Sequence, residues 1–152
     1  MATSNAATTY LEHRLLNFIF KNNAAVSGVT FATPGDTIYV GLATAVSDAE
    51  GSTGSTGFTE ATFGSYARQQ VAASGWTLAS ASTDAQTVTN ASNVEFPATT
   101  GTSNVITHVI ITDNATTGNG NVLFVGALDA NKTIATGDIF RINAGNLTIE
   151  LK

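Results

Sequence analysis

The apolar positions of this chain recur with two different periods. Over residues 10–21, Leu11, Leu15, Phe18 and Ile19 return at helical spacing, and Leu16 and Phe20 widen the stripe. Thr9 followed by Glu12 fits a capping box, in which hydroxyl and carboxylate take up free amides of the first turn. Lys21-Asn22-Asn23 supplies a stop, with a cation at the negative end of the dipole. One amphipathic helix is therefore expected. So short a helix needs a surface to pack on. Either it covers one end of the domain, or it docks on a neighbouring subunit.

From residue 37 onward the period drops to two. Residues 37–43, TIYVGLA, put Ile38, Val40 and Leu42 on one side and Tyr39 and Gly41 on the other. Residues 66–73, YARQQVAA, put Arg68 and Gln70 on one face and Ala67, Gln69 and Val71 on the other. Short strands are expected at 76–79, 87–90 and 93–96. The last is ended by Pro97, which has no amide donor and belongs at a strand end or edge. The strongest pattern is NVITHVIIT, where Val105, Thr107, Val109 and Ile111 share one face and Ile106, His108 and Ile110 the other. Both faces are largely apolar, which predicts a central strand covered on both sides. A polar Gly/Asn-rich turn leads to a returning strand at 121–128. Asp129-Ala130-Asn131, Thr136-Gly137-Asp138 and Ala144-Gly145-Asn146 read as turns around short strands at 132–135, 139–142 and 147–151. Short strands punctuated by turns at this spacing predict an all-β fold, an antiparallel β-sandwich of jelly-roll-like form with one N-terminal α-helix. The expected organisation is an arm and helix over 1–23 and a sandwich over 24–152.

Composition sharpens this reading. A chain of 152 residues can bury a real core without staples. Only 11% of residues are charged, against roughly 25% in an average domain, and Thr, Ala, Ser, Asn and Gly fill the gap. Neutral hydroxyls and amides cost less to desolvate than ions, so this surface suits packing against other proteins. The net charge of -5 and the six scattered Lys and Arg residues argue against nucleic-acid binding, which needs clustered cations. Cysteine is absent, so disulfides and thiolate metal sites are excluded. The N-terminal stretch lacks the positive region of a signal peptide, and Glu12, His13 and Arg14 interrupt its apolar run. No stretch approaches the ~20 apolar residues of a membrane span, and no membrane partner is expected.

Candidate chemistry is sparse. Residues 44–65 contain GSTGSTG, but no Lys-Ser/Thr follows the glycines, so the segment is an exposed loop rather than a phosphate cradle. With Phe58 and Phe63 among its polar residues, it could serve as an interaction arm. His13 and His108 lack the spacing of a zinc site, and no Gly-x-Ser-x-Gly elbow appears. The segment 113–121, DNATTGNGN, has the oxygens calcium favours. It lacks the alternating acids and closing Glu of an EF-hand and reads as a hairpin turn. Asn-x-Ser/Thr matches at Asn90, Asn114, Asn131 and Asn146 follow from composition. No catalytic residue, cofactor or metal is expected, and the chain does not read as an enzyme.

The order of blocks carries more. YLEHRLLNFIF, TIYVGLATAVSDAE, GSYARQQV, NVEFPATTGTSNVITHVIITDNATTGNGNVLFVGAL and KTIATGDIFRINAGNLTIEL follow one another across residues 10–151. In that order they resemble small virion structural proteins of tailed bacteriophages, cyanophages included, which are often labelled tail fibre proteins. The chain departs from that family's GIFD-type segment in having Ile110-Ile111-Thr112-Asp113, and its turn is longer; both changes preserve a hairpin. The resemblance implies a capsid cement or decoration protein that clamps neighbouring major capsid subunits on the capsid exterior. The alternative is a tail fibre, tail-tip or adaptor component touching the host or other tail proteins. Partners would be the major capsid protein or tail proteins, with a homo-oligomer permitted. Tyr10, Leu11, Leu15 and Phe18 of the helix, and Phe58 and Phe63 of the loop, are the residues expected to reach neighbours.

Overall fold

The structure, a computed structural model, describes residues 9–21, 25–26, 29–30, 37–49, 52, 55–79 and 86–151. Among the described residues the chain is built of antiparallel β-sheets with one α-helix at its N-terminal end, the all-β class expected. It divides into two compact units. One draws on residues 1–36, 72–92 and 143–152, the other on 37–71 and 93–142.

The first unit is a helix on a three-stranded sheet. Helix α1 (Thr9–Lys21) is followed by a small antiparallel pair, β1 (Ala25–Val26) and β2 (Val29–Thr30). The sheet has the order β12-β7-β6, with β6 Trp76–Leu78, β7 Gln86–Asn90 and β12 Thr148–Leu151. The helix rests on Leu16 and Phe20, which are 0% and 1% exposed, while Leu15, Phe18 and Ile19 are only half-buried. The stripe expected to centre on Leu15 and Phe18 is thus turned toward the residues that were to widen it. The reason is Trp76, 1% exposed, whose ring meets Phe20 edge-on at 4.7 Å. Burying two aromatic rings against each other outweighs a smoother aliphatic stripe. Lys21 does not merely face the dipole: its Nζ donates to the carbonyls of Ala73 (3.0 Å) and Trp76 (2.8 Å). The Thr9 and Glu12 side chains of the expected capping box lie outside the described residues.

Asn90 closes the far end of this sheet. It is 1% exposed; its Nδ2 donates to the Ser92 and Asn143 carbonyls, and its Oδ1 accepts from the Leu147 amide. A buried amide so satisfied ties the end of β7 to the turn before β12. Its sequon match is therefore structural.

The second unit holds a five-stranded sheet. The path is β10-β9-β3-β4, with β5 also on β3: β3 Ile38–Val46, β4 Phe58–Glu60, β5 Gln69–Val71, β9 Asn104–Thr112 and β10 Val122–Ile134. A ribbon of β8 (Val94–Glu95) and β11 (Arg141–Ile142) lies over it through an aromatic cluster. Phe63 and Tyr66 meet edge-on at 5.3 Å, Tyr66 stacks on Phe96 at 6.2 Å, and Phe96 meets Phe140 at 5.9 Å. Strand β9 is central, as its two apolar faces require. Only its second half is covered on both sides, from Val109 to Thr112; Val105 is 46% exposed. The turn expected at Asp129-Ala130-Asn131 is a bulge instead. Ala127 pairs with His108 and Lys132 with Ile106, so residues 128–131 sit opposite Thr107 alone. Pairing on both sides holds the strand together, and the turn-prone residues are pushed out of register.

Candidate functional site

The long loop expected over 44–65 is mostly structure. Strand β3 runs on to Val46, the Ser47 and Asp48 amides donate to the Gly57 carbonyl, and β4 returns along Ala43–Val46. The chain then leaves that edge of β3 and rejoins the same edge as β5 along Ile38–Val40. Between the two pairings the Leu42 amide faces no strand. The Tyr66 hydroxyl fills the gap, accepting from Leu42 N at 2.9 Å and donating to Glu60 Oε1 at 2.7 Å. Gly41 permits this approach, since a Cβ there would come within 2.9 Å of that hydroxyl and 2.8 Å of Ile110 Cγ1. Burial, first of all, holds the Tyr66 phenol well above its ordinary range, and the Glu60 charge and hydrogen bond add to it.

Arg68, immediately before β5, is the hub of this region. Its side chain is fully buried and its fork grips Glu60, Nε to Oε1 at 2.7 Å and Nη2 to Oε2 at 2.9 Å. Nη1 turns the other way, to Thr112 Oγ1 at 3.3 Å and to the carbonyls of Asn114 (2.9 Å) and Asn119 (3.0 Å). A guanidinium offers five donors in a fixed plane, which lets one residue pin β4 to a turn across the sheet.

That turn is the β9–β10 hairpin tip. The Asn121 amide donates to Asp113 Oδ1 and its side chain to Oδ2, both at 2.7 Å; the Thr116 amide donates to Asn114 Oδ1, and Asn119 N to Thr116 O. Gly118 and Gly120 adopt φ of 79° and 81°. The Asp113 carboxylate that suggested calcium is thus spent on holding the turn, and residues 115–120 stand exposed on a braced frame. Among the described residues no three His, Cys, Asp or Glu come together as a metal site. His108 is half-buried, its Nδ1 2.7 Å from Thr107 Oγ1; the His13 side chain lies outside the described residues.

The expected interaction residues divide between the units. Tyr10 and Leu11 belong to α1, their side chains outside the described residues; Leu15 and Phe18 are half-buried on it. Phe58 is half-buried at the start of β4 opposite Val46. Phe63 is a correction: at 2% exposure it belongs to the aromatic cluster, where it packs edge-on against Tyr66 between β4 and β5. Sequence reading missed Arg68, Glu60 and Tyr66 as a group. The available signal was one arginine within a strand in a chain with so few cations.

These features describe a β scaffold that presents braced loops. Among the described residues no helix is long and apolar enough to cross a membrane. The chain belongs to the family described as podophage GP4 fiber I protein gp80, whose family model matches residues 6–150, and it is a structural protein of a phage virion. No curated protein matches it.

Proposed function

We propose that the protein works in the phage tail, as a fibre component that binds other proteins of the same virion. The match to a fibre family over residues 6–150 carries this reading. It favours the tail over the capsid-cement role implied by the general resemblance to small virion proteins. The charge-poor composition supports assembly through neutral, shape-matched contacts, which are cheap to desolvate. Repetition around a symmetric particle then multiplies modest contacts into firm attachment. Helix α1, which carries Tyr10, Leu11, Leu15 and Phe18, and Phe58 at the start of β4 are the contact elements of this proposal. Gold-labelled antibody on intact particles tests the location: label on the tail is expected. Label confined to the head would overturn the tail role and favour capsid clamping.

A further inference from the structure

We propose that Asn119 is a self-modifying site: it deamidates through the nitrogen of Gly120, and Arg68 steers the product to isoaspartate. Asn119-Gly120 is the one Asn-Gly pair in the sequence, and it sits at the exposed hairpin tip. Glycine has no Cβ to hinder attack by its own nitrogen. The neighbouring asparagines are occupied, Asn114 Oδ1 by the Thr116 amide and Asn121 Nδ2 by Asp113. Among the described residues neither the Asn119 side-chain amide nor the Gly120 N–H has a hydrogen-bond partner. What is held is the Asn119 main chain, its amide on Thr116 O and its carbonyl on Arg68 Nη1 at 3.0 Å.

The chemistry needs only water. The Gly120 nitrogen bonds to Asn119 Cγ, the Cγ–Nδ2 bond breaks, and ammonia leaves with the proton that Gly120 gives up. The resulting five-membered imide has two carbonyls. Water adding at Cγ breaks the Cγ–N bond and restores a normal backbone with an aspartate side chain. Water adding at the main-chain carbonyl breaks that C–N bond, so the chain runs through Cβ as isoaspartate and a free α-carboxylate remains. In both cases the water proton goes to the Gly120 nitrogen. Arg68 touches the main-chain carbonyl oxygen. The guanidinium polarises that carbonyl toward water and then faces the α-carboxylate formed there, a charge-assisted pairing. Both effects favour isoaspartate. The outcome is one added negative charge and one added main-chain carbon at the tip, introduced irreversibly as the protein ages.

Purified full-length protein would be incubated at neutral and mildly alkaline pH, either folded or unfolded in guanidinium chloride. Peptide mapping with fragmentation that separates isoaspartate from aspartate then reads residue 119. The folded protein is expected to convert at Asn119, with an isoaspartate-to-aspartate ratio roughly tenfold above that of the unfolded chain. Asn119→Gln should abolish the conversion. Arg68→Lys, checked for folding by circular dichroism, should lower the ratio; if it does not fold, the folded and unfolded wild-type chains carry the test. An Asn119 that stays intact in the folded protein while the unfolded chain converts, or equal ratios in both, would overturn the proposal.

Discussion

Arg68 stands where a cation could not remain alone. Its side chain is fully buried, and the Glu60 carboxylate that answers it is nearly so, at 7%. Removing one partner of such a pair leaves an uncompensated charge, at a cost of about 3–5 kcal/mol. Arg68→Met should therefore lower stability by that order, read from the midpoint of urea unfolding. Arg68→Lys should fall between, since an ammonium cannot span Glu60 and both hairpin carbonyls at once. The double change Glu60→Leu with Arg68→Met should recover part of the loss, because no charge is left buried. If Arg68→Met alone were neutral, the hub would be ornamental. Tyr66, beside it, gives a pH signature. Its hydroxyl is raised from an ordinary value of 10.0, chiefly by burial. Above the unfolded pKa the unfolded chain releases the proton while the folded chain keeps it, so stability falls as pH rises. Its contribution is fully present below about pH 10 and is lost at up to about 1.4 kcal/mol per pH unit above it. Tyr66→Phe should flatten that part of the curve, at the cost of an unpaired Leu42 amide.

At the scale of elements, the hairpin tip separates two kinds of glycine need. Gly118 has φ of 79° with nothing near its missing Cβ, so Gly118→Ala should cost only the left-handed penalty, about 1–2 kcal/mol. Gly120 has a similar φ, but a Cβ there would overlap Asn114 Cβ and press on Asp113 Oδ1, so Gly120→Ala should cost distinctly more. Thermal midpoints of the two variants, ranked the other way, would show that the turn is not braced as described. The existence of most of these elements was legible beforehand. α1, β3, β6, β7, β9 and the hairpin follow from local period and turn chemistry, which neighbouring residues carry by themselves. What was not legible depends on partners distant in sequence. The helix is rolled toward Leu16 by Trp76, the 128–131 turn is held in a strand by β9, and β4 forms because β3 offers it an edge. Phe63 is the same lesson in one residue, an aromatic among polar neighbours whose burial only the aromatic cluster reveals.

The whole molecule draws each of its units from separated stretches of chain, so no linear boundary announces them. Local patterns are strongest along a strand and silent about which strands share a core. The candidate site was hidden for the same reason, with Glu60, Arg68 and the tip at Asn114 and Asn119 brought together by the sheet. Composition, by contrast, speaks for the molecule as a unit. With 11% charged residues and a net charge of -5, the surface has little with which to form ion pairs to a neighbour. Attachment to the virion should then depend on apolar area and neutral hydrogen bonds, which salt does not screen. Raising salt to about 1 M shortens the screening length to ~3 Å and dissolves contacts held by exposed charges. Particles washed at that salt and pelleted should keep the protein, whereas urea, which solvates both apolar and peptide groups, should strip it before the particle falls apart. Quantitative blotting of pellet and supernatant reads the difference. Release that climbs steeply with salt would mean that the few charges, Arg141 and Glu95 among the exposed ones, carry the attachment after all.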